Sequence, residues 1–227
     1  MPLFMNIDEP MALAIFDLDN TLLTGDSDYL WGMFLAEQGI VERHSYEREN
    51  QRYYDAYKDG TLDIYEFLAF SLKPLAENEI GLLNKLHQQF MAEKIRPIMS
   101  HRSFELIEKH RSAGDTLVVI TATNSFVTTP IVKAFGINNL LATEPEINSH
   151  GYTGRVAGVP CFQQGKVTRL QSWLNEHKLN LQGSWFYSDS HNDLPLLREV
   201  DHPVAVDPDT QLAVVARENN WPVISLR

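Results

Sequence analysis

Short, unbroken apolar runs separated by stretches of helical length are the feature that most restricts how this chain can fold. The runs at 12–16 (A-L-A-I-F) and 116–120 (T-L-V-V-I) show no polar alternation. Strands built from them must therefore be covered on both faces. Weaker runs follow at 140–142, 184–187, 203–206 and 222–225, and helices fit at about 100–112, 126–135, 166–177, 194–200 and 212–218. Strands that alternate with helices predict a parallel α/β sheet, Rossmann-like, with helices on both sides.

One stretch breaks the alternation. Residues 26–95 hold no convincing strand but carry helical stripes, among them Tyr29, Leu30, Met33 and Phe34, then Leu82, Leu83, Leu86 and Phe90. The reading is a small helical cap at 26–95, inserted after the first strand into a core formed by 11–25 and 96–227. Asp26 or Ser27 can cap its first helix. Residues 146–162 place three glycines among β-formers and predict a hairpin or flap. Met11 is read as opening the first strand, with residues 1–10 as an extension.

Composition narrows the partners. The 227 residues carry 30 acidic and 19 basic side chains, a formal net charge of -11. That charge disfavours nucleic acid and anionic membranes as partners. A single cysteine, Cys161, rules out an intrachain disulfide framework, and neither a secretory leader nor a spanning segment is evident, so a cytoplasmic protein is expected. The histidines show no zinc-ligand spacing. The oligomeric state is not legible.

Four motifs carry chemistry together that none carries alone. F-D-L-D-N-T follows the first strand and places Asp17 and Asp19 on one loop, where one carboxylate can attack phosphorus and the other can move a proton. Taken singly, it is equally an Asx turn with two solvated acids. Thr121 begins T-A-T-N after the second strand, where a hydroxyl and free N–H groups suit a phosphate oxygen, or merely cap a helix. Lys166 in Q-G-K-V opens a helix after the flap, where a lysine can neutralise charge. Singly, a surface lysine is the commoner case. Y-S-D-S-H-N-D brings Asp189 and Asp193, oxygen donors of the kind magnesium prefers, or else an acidic helix start. Three of the four lie just past a predicted strand, where parallel sheets bind their ligands.

With these motifs the chain resembles the haloacid dehalogenase-like superfamily, in its phosphoserine-phosphatase-like branch. The resemblance implies Asp17 as nucleophile and magnesium ligand, and Asp19 as general acid/base with its carbonyl on the metal. It implies Thr121 and the Ala122 backbone on the phosphoryl group, Lys166 steadying charge, and Asp189 and Asp193 in the Mg2+ site. Asp19 distinguishes phosphatases of this superfamily from its dehalogenases. Nine residues after Asp17 stands Asp26, where phosphoserine phosphatases carry Glu, and no cap arginine is evident beyond Arg43, Arg48 and Arg52. G-D-S-D-Y-L-W-G at 25–32 looks closer to bacterial members proposed as histidinol-phosphate phosphatases. The expected substrate is a small phosphomonoester, with L-histidinol phosphate as the candidate and Asp26 and Asp28 facing its cationic groups. Phosphoserine hydrolysis, or phosphotransfer or mutase chemistry on the same intermediate, are the enzymatic alternatives. A non-catalytic binding protein is disfavoured because every catalytic position is filled.

Overall fold

The computed structural model describes residues 12–227. The readings of Met11 as a strand start and of 1–10 as an extension lie outside that range. Seven strands form one sheet in the order β4-β3-β2-β1-β5-β6-β7. They are β1 (Leu13–Phe16), β2 (Thr116–Asn124), β3 (Asn139–Asn148), β4 (Gly151–Ala157), β5 (Trp185–Ser188), β6 (His202–Val206) and β7 (Val223–Ile224). All neighbours pair in parallel except β3 and β4, which form an antiparallel hairpin.

Burial on both faces explains the missing polar alternation. Ala14 and Phe16 of β1 point into one hydrophobic cluster, while Leu13 and Ile15 point into the opposite one. β1 lies between β2 and β5. The chain runs outward from β1 on one side and returns to its other side, so the end of β1 is the topological switch point where α/β sheets bind ligands.

Between β1 and β2 run α1 (Ser27–Glu37), α2 (Arg43–Lys58), α3 (Ile64–Ser71), α4 (Lys73–Glu77) and α5 (Ile80–Phe90). Asp26 caps α1 by accepting from the Asp28 and Tyr29 N–H groups, and Asp63 caps α3 in the same way. Trp31, Phe34 and Phe90 join the cluster under one sheet face. Leu68, Leu72, Leu75 and Leu83 form a smaller cluster, with Tyr152 and Val156 of the hairpin packed against it. The hairpin thus braces α3 and α4.

α6 (His101–Ala113) leads back into β2, and α7 (Ser125–Ala134), α8 (Gln164–His177), α9 (Leu194–Leu197) and α10 (Thr210–Glu218) follow in chain order around the core. Three expected boundaries move. β2 continues past 120 to Asn124 through a register shift, because its polar end still finds partners on β3. β3 extends to Asn148 because pairing with β4 sustains it. The helix expected at 194–200 shrinks to α9, preceded by a 3-10 turn at His191–Asp193. No helix among the described residues is long and apolar enough to cross a membrane.

Candidate active site

Asp17 is the first residue beyond β1, and its N–H continues the ladder to the Tyr187 carbonyl at 2.9 Å. The chain then winds through Leu18–Leu22, with Asn20 in the left-handed region at φ 58°. This turn brings Thr21 back beside the strand end. Its hydroxyl lies 3.2 Å from Asp17 Oδ2 and 3.2 Å from Asp189 Oδ1, and it accepts the Asp189 N–H at 3.1 Å. Thr21 therefore joins two carboxylates that are 172 positions apart on the chain (189 less 17).

Lys166 is 2 % exposed, so it is no surface lysine. Its Nζ donates to Asp17 Oδ1 at 2.7 Å and to Asp193 Oδ2 at 2.8 Å. The Ser188 hydroxyl also donates to Asp193 Oδ2, at 2.7 Å. The residue before the lysine must be glycine. A Cβ at Gly165 would stand 2.0 Å from the Pro160 carbonyl oxygen, so only a bare backbone lets the start of α8 sit close enough to deliver the ammonium.

Asp19 points to the other side. Its Oδ1 accepts the Ser27 N–H at 2.6 Å, and its Oδ2 accepts the Thr123 hydroxyl at 2.8 Å and the Thr121 hydroxyl at 3.3 Å. Thr121 is fully buried beside it. Asp17, Asp19, Thr121, Lys166, Asp189 and Asp193 therefore converge, but the four acids do not share one direction. Asp17 and Asp189 face each other through Thr21, Asp193 is engaged by Lys166 and Ser188, and the Asp19 carboxylate turns to the threonines of β2.

Burial raises the Asp17 carboxyl to about 7, the Lys166 ammonium opposing this and the Asp193 and Asp19 charges adding to it. Asp189 is pushed upward by burial and then by Asp17 and Asp193. Burial disfavours the Lys166 charge, yet the Asp17 and Asp193 carboxylates more than offset it and hold the proton above the ordinary lysine range. One ammonium is thus set among several buried carboxylates.

That surplus of negative charge suits a hard divalent cation. Among the described residues no three His, Cys, Asp or Glu side chains gather into a ready-made cage. Magnesium is usually held by one or two carboxylates completed by water and substrate phosphate, so the Asp17 and Asp189 pair is a donor set that fits it.

Above this floor opens a cavity lined by Asp17, Asp19, Thr121 and Ala122 below and by Asp26, Asp28 and aromatic side chains of α2 above. Tyr54 and Tyr57 line it, whereas Trp31 and Phe34 are core. Asp26 both caps α1 and lines the cavity, and burial together with the Asp19 charge raises its carboxyl to about 7. No lysine, arginine or histidine lines the cavity among the described residues. Arg43 and Arg52 pair instead with Glu47 and Glu49 along α2.

Sequence reasoning missed Thr21, Ser188 and Asn192. Thr21 was legible as the end of the first motif, four positions after Asp17. Asn192 links the halves: its Nδ2 donates to the Tyr57 carbonyl of α2 at 3.0 Å, and its Oδ1 accepts from Gln163 Nε2 at 2.9 Å. Only the folded chain brings these partners together.

A family model described as haloacid dehalogenase-like hydrolase matches residues 14–198. A protein named histidinol-phosphatase from Neisseria meningitidis serogroup C (strain 8013) is 46 % identical over 219 residues, covering 95 % of this chain and 99 % of its own. A crystal structure of a protein of unknown function from Bordetella pertussis Tohama I superposes with a TM-score of 0.91 at 41 % identity, covering 96 % of this chain and 100 % of its own. A substrate-bound phosphoserine phosphatase shares the fold at a TM-score of 0.71 and 16 % identity, covering 97 % of this chain and 95 % of its own. The chain belongs to the haloacid dehalogenase-like hydrolase family, among its phosphatases.

Proposed function

We propose that the protein hydrolyses a small phosphomonoester through an aspartyl-phosphate, with Asp17 as nucleophile. The observation that carries this reading is the buried Lys166 ammonium held between Asp17 and Asp193 at the sheet's switch point. Lys166 and Thr21 occupy the two oxygens of Asp17 and fix its carboxylate in orientation. A carboxylate so held is pre-organised for attack on phosphorus.

In the first step an Asp17 oxygen bonds to phosphorus and the ester P–O bond breaks. Asp19 gives its proton to the departing alcohol oxygen. In the second step water attacks the same phosphorus, yields its proton to Asp19, and the Asp17–phosphorus bond breaks to release phosphate. Thr121 and the Ala122 backbone hold phosphoryl oxygens, and Lys166 offsets the charge that accumulates near Asp17. Asp193 orients Lys166. Asp17 and Asp189 would hold Mg2+, with the Asp19 carbonyl, and the ion supplies charge neutralisation for the phosphoryl group.

Residues 26–95 act as the cap, with α2 forming the wall above the reacting group. The substrate assignment is L-histidinol phosphate. It is supported by the acidic and aromatic cavity wall and by the 46 % identical relative named for that activity. Among the described residues no basic side chain lines the cavity to meet the carboxylate of phosphoserine. A phosphate-release screen with magnesium, run beside Asp17→Asn, tests the reading. Wild type should favour histidinol phosphate, and the variant should lose activity by about 10³-fold or more. Undiminished turnover in the variant would overturn the mechanism, and indifferent turnover of many esters would overturn the substrate.

A further inference from the structure

The upper cavity wall presents hydrogen-bond acceptors that no described residue answers. Asp28 donates its N–H to Asp26, but its carboxylate has no hydrogen-bond or ion-pair partner among the described residues. Asn50 is 5 % exposed and lines the same cavity. Its Nδ2 donates to the Tyr29 carbonyl at 3.0 Å, which turns Oδ1 away as an acceptor that receives no bond from the described residues. This seating depends on Gly32, where a Cβ would lie 2.9 Å from Asn50 Nδ2 and 2.9 Å from a Tyr46 ring carbon. Asp26 differs from both, since one of its oxygens is already taken by two N–H groups of α1.

We infer that Asp28 and Asn50 select phosphomonoesters whose organic part carries a protonated amine and no carboxylate. The inference rests on the phosphatase reading above and names the substrate class of that site. An amide oxygen and a carboxylate on a cavity wall with no donor among the described residues are acceptors that a ligand bearing N–H groups can engage. An ammonium carries three donors and no acceptor, so it can answer Asp28 and Asn50 at once and compensate the carboxylate charge. A hydroxyl has one proton and leaves that charge in place. Tyr54 and Tyr57, which line the same cavity, are aromatic neighbours of a kind that tolerates a cation. A substrate carboxylate would meet Asp26 and Asp28 with no lysine, arginine or histidine among the described residues on the cavity wall to offset it.

The test compares kcat/KM for O-phosphoethanolamine, O-phosphoserine and propyl phosphate in wild type, Asp28→Asn and Asn50→Ser. Wild type should prefer phosphoethanolamine to both others by about tenfold or more. Each variant should lower the phosphoethanolamine to propyl phosphate ratio by about tenfold, whatever its overall rate. A wild-type ratio near unity, a preference for phosphoserine, or a ratio unmoved in both variants would overturn the inference. If none of the three is hydrolysed, phosphate release from L-histidinol phosphate decides the phosphatase reading separately. Calorimetric binding of L-histidinol then decides this one: weaker binding by Asp28→Asn supports it, and equal affinity or no binding by wild type overturns it.

Discussion

At the scale of single residues, Lys166 and Thr21 divide the work around Asp17. Among the described residues Lys166 is the sole cation bonded to two buried carboxylates, 2.7 Å from each. Replacing it by Met keeps the volume roughly but leaves Asp17 and Asp193 without a counter-charge. Activity of Lys166→Met should fall about 10³-fold, since a preorganised charge at the reacting group is lost. A steady-state assay at saturating magnesium checks this. Thr21 behaves differently, because its hydroxyl touches Asp17 and Asp189 without carrying charge. Thr21→Val should raise the magnesium concentration for half-maximal activity about 10- to 100-fold, the scale on which groups behind metal ligands act. The rate at saturating magnesium should change much less. Both residues also mark how far the sequence could be read. Lys166 was found because it joined a recurring set of motifs, although its burial contradicts the ordinary habit of lysine. Thr21 was overlooked because hydroxyl bridging depends on how tightly the turn after β1 winds, and no spacing rule states that.

At the scale of elements, the apolar runs located the strands because burial on both faces leaves a period-free pattern that few other structures produce. Their ends were less legible. β2 and β3 continue through Thr123, Asn124 and Thr143, polar residues whose strand geometry depends on a neighbouring partner. The union of α2 with the loop after β5 was invisible in sequence, since it rests on Asn192 meeting a backbone carbonyl 135 positions away. That union tethers the cavity wall to the loop that carries Asp189. Asn192→Ala removes the bonds to Tyr57 and Gln163. It should raise KM for the phosphomonoester severalfold, a cost of about 1 kcal/mol for a hydrogen bond lost between the two elements. Hydrogen exchange should quicken in α2 while the sheet stays protected, a pattern that general destabilisation would not give.

For the whole molecule, the site sets an electrostatic demand that stability measurements can read. Asp17 and Asp26 titrate near 7 rather than at 3.8, with burial as the leading cause in each. The fold therefore binds these protons more tightly than the unfolded chain does. Linkage then fixes the sign: stability contributed by these groups is greatest below about pH 4 and is lost as pH rises toward 7. A divalent cation between Asp17 and Asp189 would reverse that loss, because it binds the ionised form. Magnesium at 100 times its dissociation constant adds about 2.7 kcal/mol to the folded state. Thermal unfolding at pH 5 and pH 7.5, with and without magnesium, should show a larger rise in Tm at the higher pH, where metal no longer competes with protons. Asp189→Asn should abolish most of that rise, and Asp17→Asn should flatten the decline between the two pH values in the absence of metal. Equal magnesium effects at both pH values would mean that protons and metal do not share these carboxylates. The charge surplus around Lys166 would then be answered by something other than a divalent ion.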